Sequence, residues 1–476
     1  MRFGTTGLII LCISLIFIGW LYNYPTLLHL LPQGSHIWRQ ADCVAMAQNY
    51  QQYNLSFFQP QIYNLQADYG KAAGEFPILY YIAAQFTDVA FALRFIHTLI
   101  FAAGIIGVYF VALFFLQRQF LTLIACWIFC SSPLIVFYGN NFLSDAPALS
   151  FAILGWAFLL YGYKKQNFIL SVFAFSCFTI AGLLKASEVL NFGFAFLFHL
   201  KFGRKNIKYF SLFILLLIPM AWYGYARQYN VLHHDKYYFL SIAPIWKLSL
   251  YNIGLGAWRM LFAQSNNYFW WPMRLLLLCS LYFVFKHHKK LDAELRFMLY
   301  ASGLFTILYV LIFYEKMILH EYYYIYFYIF ILFTIISILK TYNFYYAENV
   351  FSHAFIFLLI FPNLIFCKNF IAKKLTDSQY NHTLATSSFQ TYLSNNNVSN
   401  TAVVLSLPDD TPNKTLYLIK RKGYTEFNPY ISLLEKHKIN FILIGDDALK
   451  KEVALQPFLQ DSLSYFKGFT LYKASY

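Results

Sequence analysis

Charged residues are scarce in this sequence. They make up only 12% of the 476 residues, whereas hydrophobic residues make up 59%, and the mean hydropathy is +0.50. A chain with so little charge cannot cover its apolar side chains when it folds in water. The composition therefore excludes an ordinary soluble globular protein and indicates that lipid surrounds most of the chain.

Cysteine is also sparse, and its spacing excludes two common uses. The 7 cysteines form no CxxC pair and no Cys/His metal-binding spacing. Most of them lie in apolar stretches, where a thiol is typically a small buried hydrophobe. An acidic excess is missing too, since the net charge is +15. Much of that charge falls in short loops next to apolar runs, where anionic lipid headgroups are the expected neighbours, so no nucleic-acid partner is predicted.

Long apolar runs are abundant. About 17–25 apolar residues cross a bilayer as a helix, and we predict eleven such spans, at residues 7–28, 90–116, 120–138, 146–163, 167–184, 188–200, 207–226, 273–285, 297–313, 322–339 and 351–366. The predicted fold class is an α-helical polytopic membrane protein with about 11–13 transmembrane helices. No small-residue cleavage site follows the first span, so we expect it to be retained rather than removed as a signal peptide.

Basic residues predict the orientation. They fall in alternate short loops, which is typical of cytoplasmic loops when the N-terminus lies inside. Three long segments, at residues 23–89, 227–272 and 368–476, are then expected on the outer side. The chain shows no internal repeat, so it lacks the matched halves typical of a transporter of lipid-linked sugars.

The C-terminal tail changes character. We predict a transmembrane catalytic domain at 1–366, a polar linker at 367–400 and a small extracytoplasmic α/β domain at 401–476. In that domain, residues 401–407, 440–445 and 469–474 read as strands, and 430–437 and 448–459 as helices. Acid pairs follow two of the strands, at 409–410 and 446–447. Their carboxylates are candidates for a cation or a sugar hydroxyl, or simply cap turns and helices.

The first outside segment is long enough to be functional rather than a simple connector. Residues 36–50 have a mixed apolar stripe at helical spacing, which predicts a helix along the outer membrane surface. Arg39 and Asp42 lie on one face of it. Further on, Glu75 stands between a glycine and a proline where the chain turns back into an apolar run. Its alternative role is to favour a helix N-terminus through the helix dipole.

A third acid, Asp145, lies in the next outside loop. In the alternative, Ser144 or Asp145 simply caps the helix that follows. Ionisable residues held at the membrane boundary are functional candidates. The sequence therefore predicts one cluster on the outer side, formed by Asp42, Glu75 and Asp145 together with Arg39 and Lys71.

Several motifs resemble those of one family. The motifs are HIWRQAD with MAQNY after it, GEFPILYY, Arg94 followed by an apolar span, NNFLSDAPAL, HEYYY at residues 320–324, and the tail segment 410–423. They resemble the GT-C glycosyltransferases of the aminoarabinose-transferase and protein-mannosyltransferase type, in particular a bacterial dolichyl-mannosyltransferase-like branch. Two departures stand out: the chain lacks the family's adjacent Asp-Glu pair, with His36 near that place, and Glu75-Phe76-Pro77 lacks the family's lysine.

The resemblance implies a GT-C fold and a hexosyl- or pentosyltransferase that inverts the anomeric configuration. Such enzymes move a sugar from a polyprenyl-phosphate donor to a hydroxyl of a lipid, glycan or protein on the periplasmic side of the bacterial inner membrane, as part of building the cell envelope. A phosphate leaves without protonation, so the reaction needs a carboxylate base and cationic groups for the phosphate. Asp42 is the predicted base, and Asp145 and Glu75 are further catalytic candidates. The predicted substrate-binding residues are Arg39, His36, Arg227, Lys236, Arg259, His320, Tyr322 and Tyr323.

A divalent cation is an open question in the sequence. Some relatives hold a metal through an acid and a histidine, and Glu75, His233 and His320 are candidates because carboxylate oxygen and imidazole nitrogen suit zinc or manganese. The alternative is that the histidines are polar surface residues. Two other functions also remain open: a polymerase or ligase of surface glycans, and a polytopic transporter of lipid-linked sugars.

Overall fold

The computed structural model describes residues 5–203, 207–238, 242–346, 350–376, 384, 386–459 and 461–476. Helices dominate the first 376 residues: α1 (Thr5–Leu21), α2 (Tyr24–Leu27), α3 (Ile37–Gln52), α4 (Ile78–Ala83), α5 (Val89–Leu116), α6 (Gln119–Phe129), α7 (Pro133–Gly139), α8 (Asp145–Lys165), α9 (Phe168–Leu184), α10 (Leu190–Phe202), α11 (Ile207–Phe210), α12 (Leu217–Leu232), α13 (Leu250–Trp258), α14 (Trp271–Lys286), α15 (Ala293–Leu319), α16 (Tyr328–Tyr346) and α17 (Val350–Thr376). In the described part of the chain, the tail adds the strands β1 (Val404–Leu407), β2 (Gly423–Tyr424), β3 (Phe441–Ile444), β4 (Asp461–Phe466) and β5 (Phe469–Lys473) and the helices α18 (Ser387–Asn395), α19 (Leu416–Ile419) and α20 (Tyr430–Glu435).

The membrane-spanning helices agree with the sequence. Within the described residues, 5 segments are long and apolar enough to cross a bilayer: Val89–Leu116, Asp145–Lys165, Lys208–Leu232, Ala293–Leu319 and Glu321–Asn343. The bent pair α6 and α7 raises the number to 6 if it counts as one span. All eleven predicted spans overlap helical segments. A multi-pass helical membrane protein is therefore confirmed, and eleven crossings stay a prediction.

The span predicted at 120–138 is not a straight helix. It breaks after α6, and α7 leaves at an angle of 79°. Pro133 is the first residue of α7. Proline lacks an N–H group and its ring clashes with the preceding turn, so it begins a helix readily but does not continue one.

The chain divides into two compact units. The first, here called the helical unit, comprises Met1–His29, Arg94–Tyr223 and Ser241–Lys373. The second, here called the mixed unit, comprises Leu30–Leu93, Gly224–Leu240 and Lys374–Tyr476. The first outside segment thus groups with the C-terminal tail. The domain boundaries expected at 366 and 400 stay predictions.

Aromatic side chains fill the interior of the helical unit. Trp156 of α8 is fully buried, with its ring centroid 4.1 Å from that of Phe194 and 5.3 Å from that of Phe178. Its indole Nε1 donates a hydrogen bond to Asn191 at 2.9 Å, as a buried tryptophan requires. Gly155 allows α8 and α9 to approach closely, since a Cβ there would lie 2.5 Å from the Phe178 ring.

The mixed unit contains a five-stranded sheet with the order β2-β1-β3-β5-β4. β1 pairs in parallel with both β2 and β3, whereas β5 runs antiparallel to β3 and β4. The first outside segment adds to the sheet beside β2: Gly423 donates to the carbonyl of Tyr63 at 3.0 Å, and Leu65 donates to the carbonyl of Gly423 at 2.9 Å. Residues far apart in sequence therefore share one sheet.

The tail predictions have mixed outcomes. Strands β1, β3 and β5 and helix α20 lie where they were predicted, but β2 and β4 were missed. The helix predicted at 448–459 is wrong, because the chain there forms only two short 3-10 turns, Leu449–Lys451 and Gln456–Phe458. The segment predicted as a linker includes α18, while residues 377–383 and 385 within it lie outside the described residues.

Candidate active site

Asp42 lies at the centre of a polar cluster in the mixed unit. It is carried by α3, which confirms the helix predicted at 36–50, but its side chain is 0% exposed. Oδ2 accepts a hydrogen bond from the Tyr237 hydroxyl at 2.8 Å, and Oδ1 accepts one from Nδ2 of Asn413 at 2.8 Å. Although α3 is predicted along the outer membrane surface, Asp42 is therefore buried, as are its chain neighbours Ala41 and Cys43.

Arg39 joins Asp42 to Glu75. Its Nη2 donates to both carboxylate oxygens of Glu75, at 2.8 Å to Oε1 and 2.7 Å to Oε2, and its Nη1 lies 3.7 Å from Oδ2 of Asp42. Tyr80 also donates its hydroxyl to Glu75. No side chain caps the N-terminus of α4, whose N-cap residue is Pro77, and the alternative that Glu75 favours this helix through the dipole stays open. The carboxylate is an ion-pair partner of Arg39.

The surroundings change the acidity of Asp42. Burial raises the pKa of Asp42 from its ordinary value of 3.8 to about 6, and the Glu75 charge contributes in the same direction. The Arg39 charge and the hydrogen bonds from Asn413 and Tyr237 oppose the rise. Burial and the neighbouring Asp42 raise the pKa of the Tyr237 phenol, which stays protonated and acts as the donor. The carboxyl of Asp42 thus titrates near neutral pH.

Asn413 is held in place by the segment that follows β1. Its Oδ1 accepts hydrogen bonds from the backbone N–H groups of Tyr63 and Asn64, both at 3.1 Å. Asp409 shapes the turn before it by accepting from the N–H and hydroxyl groups of Thr411 and Thr415. Asp409, the first acid of the pair after β1, therefore stabilises a turn, which is the second of the two roles considered for this pair.

A second polar cluster lies in the helical unit. Nζ of Lys185, in the break between α9 and α10, lies 2.6 Å from Oδ1 of Asp145. The same ammonium stands over the rings of Tyr322 and Tyr323, at 5.2 and 4.5 Å from their centroids. The His320 ring stacks on Tyr322 with a centroid separation of 5.3 Å. This cluster combines one cation with aromatic faces that favour cations.

Asp145 is bound to Lys185 rather than used as a cap. The N-terminus of α8 has no side-chain cap, and the preceding Ser144 donates its hydroxyl to the carbonyl of Leu184 at 3.0 Å. Nearby, Tyr138 donates to Glu321 at 3.2 Å. The capping alternative for Asp145 is therefore wrong.

The other predicted binding residues are more scattered. Arg227 and Lys236 are exposed residues of the mixed unit. His36 is the N-cap residue of α3, with a left-handed φ of 53°. In the helical unit, Nη1 of Arg259 donates to the carbonyl of Ile318 at 3.0 Å. Arg39 is the predicted substrate-binding residue that lies against the predicted base, with its Nη1 3.7 Å from Oδ2 of Asp42.

The metal candidates are engaged in other contacts. Among the described residues, no group of three or more His, Cys, Asp and Glu side chains could hold a metal ion. Glu75 is engaged by Arg39, and the ring of His233 packs on Tyr229 at 4.7 Å. His320 belongs to the other unit. We therefore assign no step to a metal.

The predicted five-residue cluster is realised in part. Asp42 and Glu75 meet at Arg39, as predicted. Lys71 lies in the same unit, with its ammonium 5.9 Å from the Tyr69 ring centroid. Asp145 pairs with Lys185 in the helical unit, so its convergence with the other acids stays a prediction.

Sequence reasoning missed three residues of these clusters. Tyr237 and Asn413 contact Asp42 from 195 and 371 residues away, and no local pattern signals such contacts. Lys185 could have been found, because it is a lone cation in a short outside loop between two predicted spans. An ionisable residue in such a place is a functional candidate, as Asp145 is.

The chain is similar to known proteins in structure and not in sequence. No known family profile matches the chain, and no curated protein matches it either. The fold and the two polar clusters define the class: a multi-pass membrane protein with a small α/β sheet domain and buried ionisable residues.

Solved structures identify the fold more closely. ArnT from Cupriavidus metallidurans bound to undecaprenyl phosphate matches with a TM-score of 0.61 and 9% identity over 98% of both chains. AglB, an archaeal oligosaccharyltransferase from Archaeoglobus fulgidus in complex with an inhibitory peptide and a dolichol-phosphate, matches at 0.53 with 13% identity, covering 93% of this chain and 69% of that one. The mycobacterial arabinofuranosyltransferase AftD matches at 0.60 with 12% identity, covering 98% and 40%. These proteins are GT-C glycosyltransferases, and the chain has the GT-C fold.

Proposed function

We propose that this protein is a membrane glycosyltransferase that moves a sugar from a polyprenyl-phosphate donor to an acceptor hydroxyl on the periplasmic face of the bacterial inner membrane. The observation that carries the proposal is the buried Asp42 carboxylate with its pKa of about 6. A general base works best when its pKa lies near the working pH. The GT-C fold, and the polyprenyl phosphates bound to two structural neighbours, support the choice of donor.

In the proposed reaction, Asp42 takes the proton from the acceptor hydroxyl. The acceptor oxygen then forms a bond to the anomeric carbon on the side opposite the phosphate. The bond between that carbon and the phosphate oxygen breaks, and its electron pair leaves with the polyprenyl phosphate. The sugar configuration is inverted, and no proton is needed by the departing phosphate.

Tyr237 suggests how the acceptor would bind. Its hydroxyl donates to Oδ2 of Asp42 at 2.8 Å, which is what an acceptor hydroxyl must do before it loses its proton. We infer that the acceptor replaces Tyr237 at this oxygen, so Tyr237 must withdraw when substrate binds. Tyr237→Phe should retain transfer, because the acceptor and not Tyr237 supplies the reacting hydroxyl.

The departing phosphate needs cationic or donor groups. The mixed unit offers Arg39, Arg227 and Lys236. The helical unit offers Lys185, Arg259 and His320, with Tyr322 and Tyr323 beside Lys185. Alanine at a true phosphate ligand should raise the KM for the donor more than it lowers the turnover of bound donor.

Transfer by the purified protein tests the function. With a polyprenyl-phosphate sugar and a hydroxyl acceptor, it should glycosylate the acceptor and release one polyprenyl phosphate per sugar. Asp42→Asn should fold normally and lose about 10²–10⁴-fold in rate. A protein that uses only nucleotide sugars would refute the donor. Near-normal transfer by Asp42→Asn together with loss in Asp145→Asn would assign the base to Asp145.

A further inference from the structure

A cavity of about 720 Å³ lies within the mixed unit, apart from the Asp42 cluster. Its volume falls in the range of about 300–1,000 Å³ that is typical of ligand pockets. The C-terminal half of α3 forms one wall, and the tail residues around α19 form another. The two sites use different sides of α3: Gln51 follows Asp42 by nine residues, which at 3.6 residues per turn places it on the opposite face.

The lining is rich in neutral amides. Five residues with side-chain amides line the cavity: Gln48, Gln51, Gln52, Gln390 and Asn400. Each amide carries a carbonyl acceptor and an N–H donor side by side, and a sugar hydroxyl is likewise both donor and acceptor. Adjacent ring hydroxyls can therefore bond both ends of one amide. An anion can use only the N–H end.

Contacts with the protein hold several of these amides in fixed orientations. Gln51 donates its Nε2 to the carbonyl of Phe86 at 2.6 Å, and Gln390 donates to the carbonyl of Leu418 at 3.0 Å. Gln52 accepts a hydrogen bond from the hydroxyl of Tyr63 at 2.8 Å. A site whose polar groups are already oriented loses less conformational entropy when a ligand binds.

Two buried polar atoms on the lining residues lack partners. Within the described part of the chain, neither Oε1 of Gln48 nor Nε of Arg421 has a hydrogen-bond partner. Arg421 is only 4% exposed, and its Nη groups donate to three backbone carbonyls, at 3.1–3.2 Å. Leaving such a buried group without a hydrogen-bond partner is unfavourable. A ligand hydroxyl that reaches either atom after a small side-chain shift would supply the missing hydrogen bond.

Charge in the cavity does not favour an anion. The carboxylate of Asp88 accepts from the N–H of Phe91 at 2.9 Å and so caps α5. The Nη groups of Arg421 donate to backbone carbonyls, so its guanidinium offers a ligand one N–H, at Nε, and Lys420 is the other lining cation. A neutral ligand with many hydroxyl groups fits this lining better than a phosphate. It also fits better than a peptide, whose backbone offers one donor and one acceptor per residue.

We propose that this cavity binds an oligosaccharide, and that the acceptor of the transferase is therefore a glycan, held by sugar units remote from the reacting hydroxyl. The assignment of the acceptor as a glycan rests on the proposed function, whereas the binding of an oligosaccharide in the cavity does not. Remote binding of this kind supplies free energy that positions the reacting group.

Saturation-transfer NMR on the full-length protein in detergent tests binding. The probes are maltotriose, mannotriose and chitotriose, with inorganic phosphate and trialanine as representatives of the other ligand classes. At least one trisaccharide should give a saturable signal. Gln48→Leu, which keeps the size but removes the amide, and Asn400→Trp, which fills the cavity from an exposed position, should each weaken binding about tenfold or more, as expected when one or two hydrogen bonds are lost.

Matched variants separate the possible results. Ser399→Trp adds the same bulk one residue outside the lining and should leave binding unchanged. The proposal is overturned if no trisaccharide binds, if Asn400→Trp binds as well as the parent protein, or if phosphate or trialanine occupies the cavity in place of sugar. Sugar binding without any transfer would refute the proposed function and leave the oligosaccharide site standing.

Discussion

At the scale of single residues, Asp42 combines two properties that are hard to reconcile. It is fully buried, yet it is surrounded by groups that favour its ionised form: the Arg39 guanidinium, the Asn413 amide and the Tyr237 hydroxyl. Desolvation outweighs them, so the carboxylate is a stronger base than an exposed aspartate. The raised pKa of Asp42 leads to two predictions, one for the pH dependence of transfer and one for stability.

The first concerns the pH dependence of transfer. A general base acts only when it is ionised, so kcat/KM should rise about tenfold per pH unit below pH 6 and level off above it, following the pKa of Asp42. Initial rates at fixed donor concentration from pH 4.5 to 8 measure this profile. Asp145→Asn should keep the same acid limb. An unchanged limb in the residual activity of Asp42→Asn would contradict the assignment.

The second concerns stability. The pKa of Asp42 in the fold, about 6, lies above its ordinary value of 3.8, so the folded protein binds the proton more tightly. Stability from this group is greatest at low pH and falls as pH rises from about 4 to 6, by about 3 kcal/mol in all. Asp42→Asn removes the buried charge and should raise the unfolding temperature at pH 7.5 but not at pH 4.

Asp410→Asn is the matched control for that comparison, because Asp410 is exposed and its carboxylate stays in contact with water in the folded protein. It should change the unfolding temperature little at either pH. A loss of stability in Asp42→Asn at pH 7.5 would indicate a structural ion pair with Arg39 rather than a strained base.

At the scale of elements, the break between α9 and α10 matters most. A 3-10 turn, Ala186–Val189, joins the two helices and leaves Lys185 facing Asp145 at the start of α8. Such a break places a cation beside aromatic rings without interrupting either helix. The Lys185–Asp145 ion pair is buried enough that its removal should measurably change the stability of the protein.

A double-mutant cycle tests this junction. Lys185→Met leaves Asp145 unpaired and should destabilise the protein by about 1–3 kcal/mol, less than a fully buried pair would. Asp145→Asn in the same chain should recover part of that loss, because no charge is then left alone. Unfolding temperatures of the parent, both single variants and the double variant supply the coupling. Strict additivity would mean that the two side chains do not interact.

Strand β2 is the element that joins the first outside segment to the sheet. Its Gly423 pairs with β1 on one side and with Tyr63 and Leu65 on the other. A Cβ at Gly423 would lie 1.8 Å from the carbonyl oxygen of Val404, so only glycine fits. Gly423→Ala should therefore lower stability by about 1–3 kcal/mol or more and increase proteolysis of the tail.

Gly224→Ala provides the comparison. Gly224 lies in α12 with no heavy atom within 4 Å of its Cβ position, so alanine there should be neutral or stabilise by about 0.5–1 kcal/mol. Equal effects of the two substitutions would show that Gly423 is not constrained by β1.

At the scale of the whole molecule, orientation in the membrane is the property to test. In a background with the exposed Cys12 and Cys279 changed to serine, cysteine at Ser56 or Ser399 should react with an impermeant maleimide in intact cells. Cysteine at Gln166, in a predicted cytoplasmic loop, should react only after the membrane is opened. Protection at Ser56 would reverse the topology and move the candidate base to the other face.

The sequence predicted much of the helical part and little of the site's surroundings. The spans are visible because the length of an apolar run is a local property, and Arg39, Asp42 and Glu75 stand in recognisable motifs. The 79° bend after α6 and the absence of a helix at 448–459 were not visible. Local periodicity does not report how a short segment packs.

By itself, the sequence determined that this is a multi-pass helical membrane protein with a small α/β region in its tail, because apolar composition and strand and helix periodicity act within a few residues. Only the tertiary structure decided that Asp42 is buried, that Asn413 reaches it from 371 residues away, and that Lys185 pairs with Asp145. The acidity of a carboxylate depends on which distant groups displace water around it, and that is set when the chain folds.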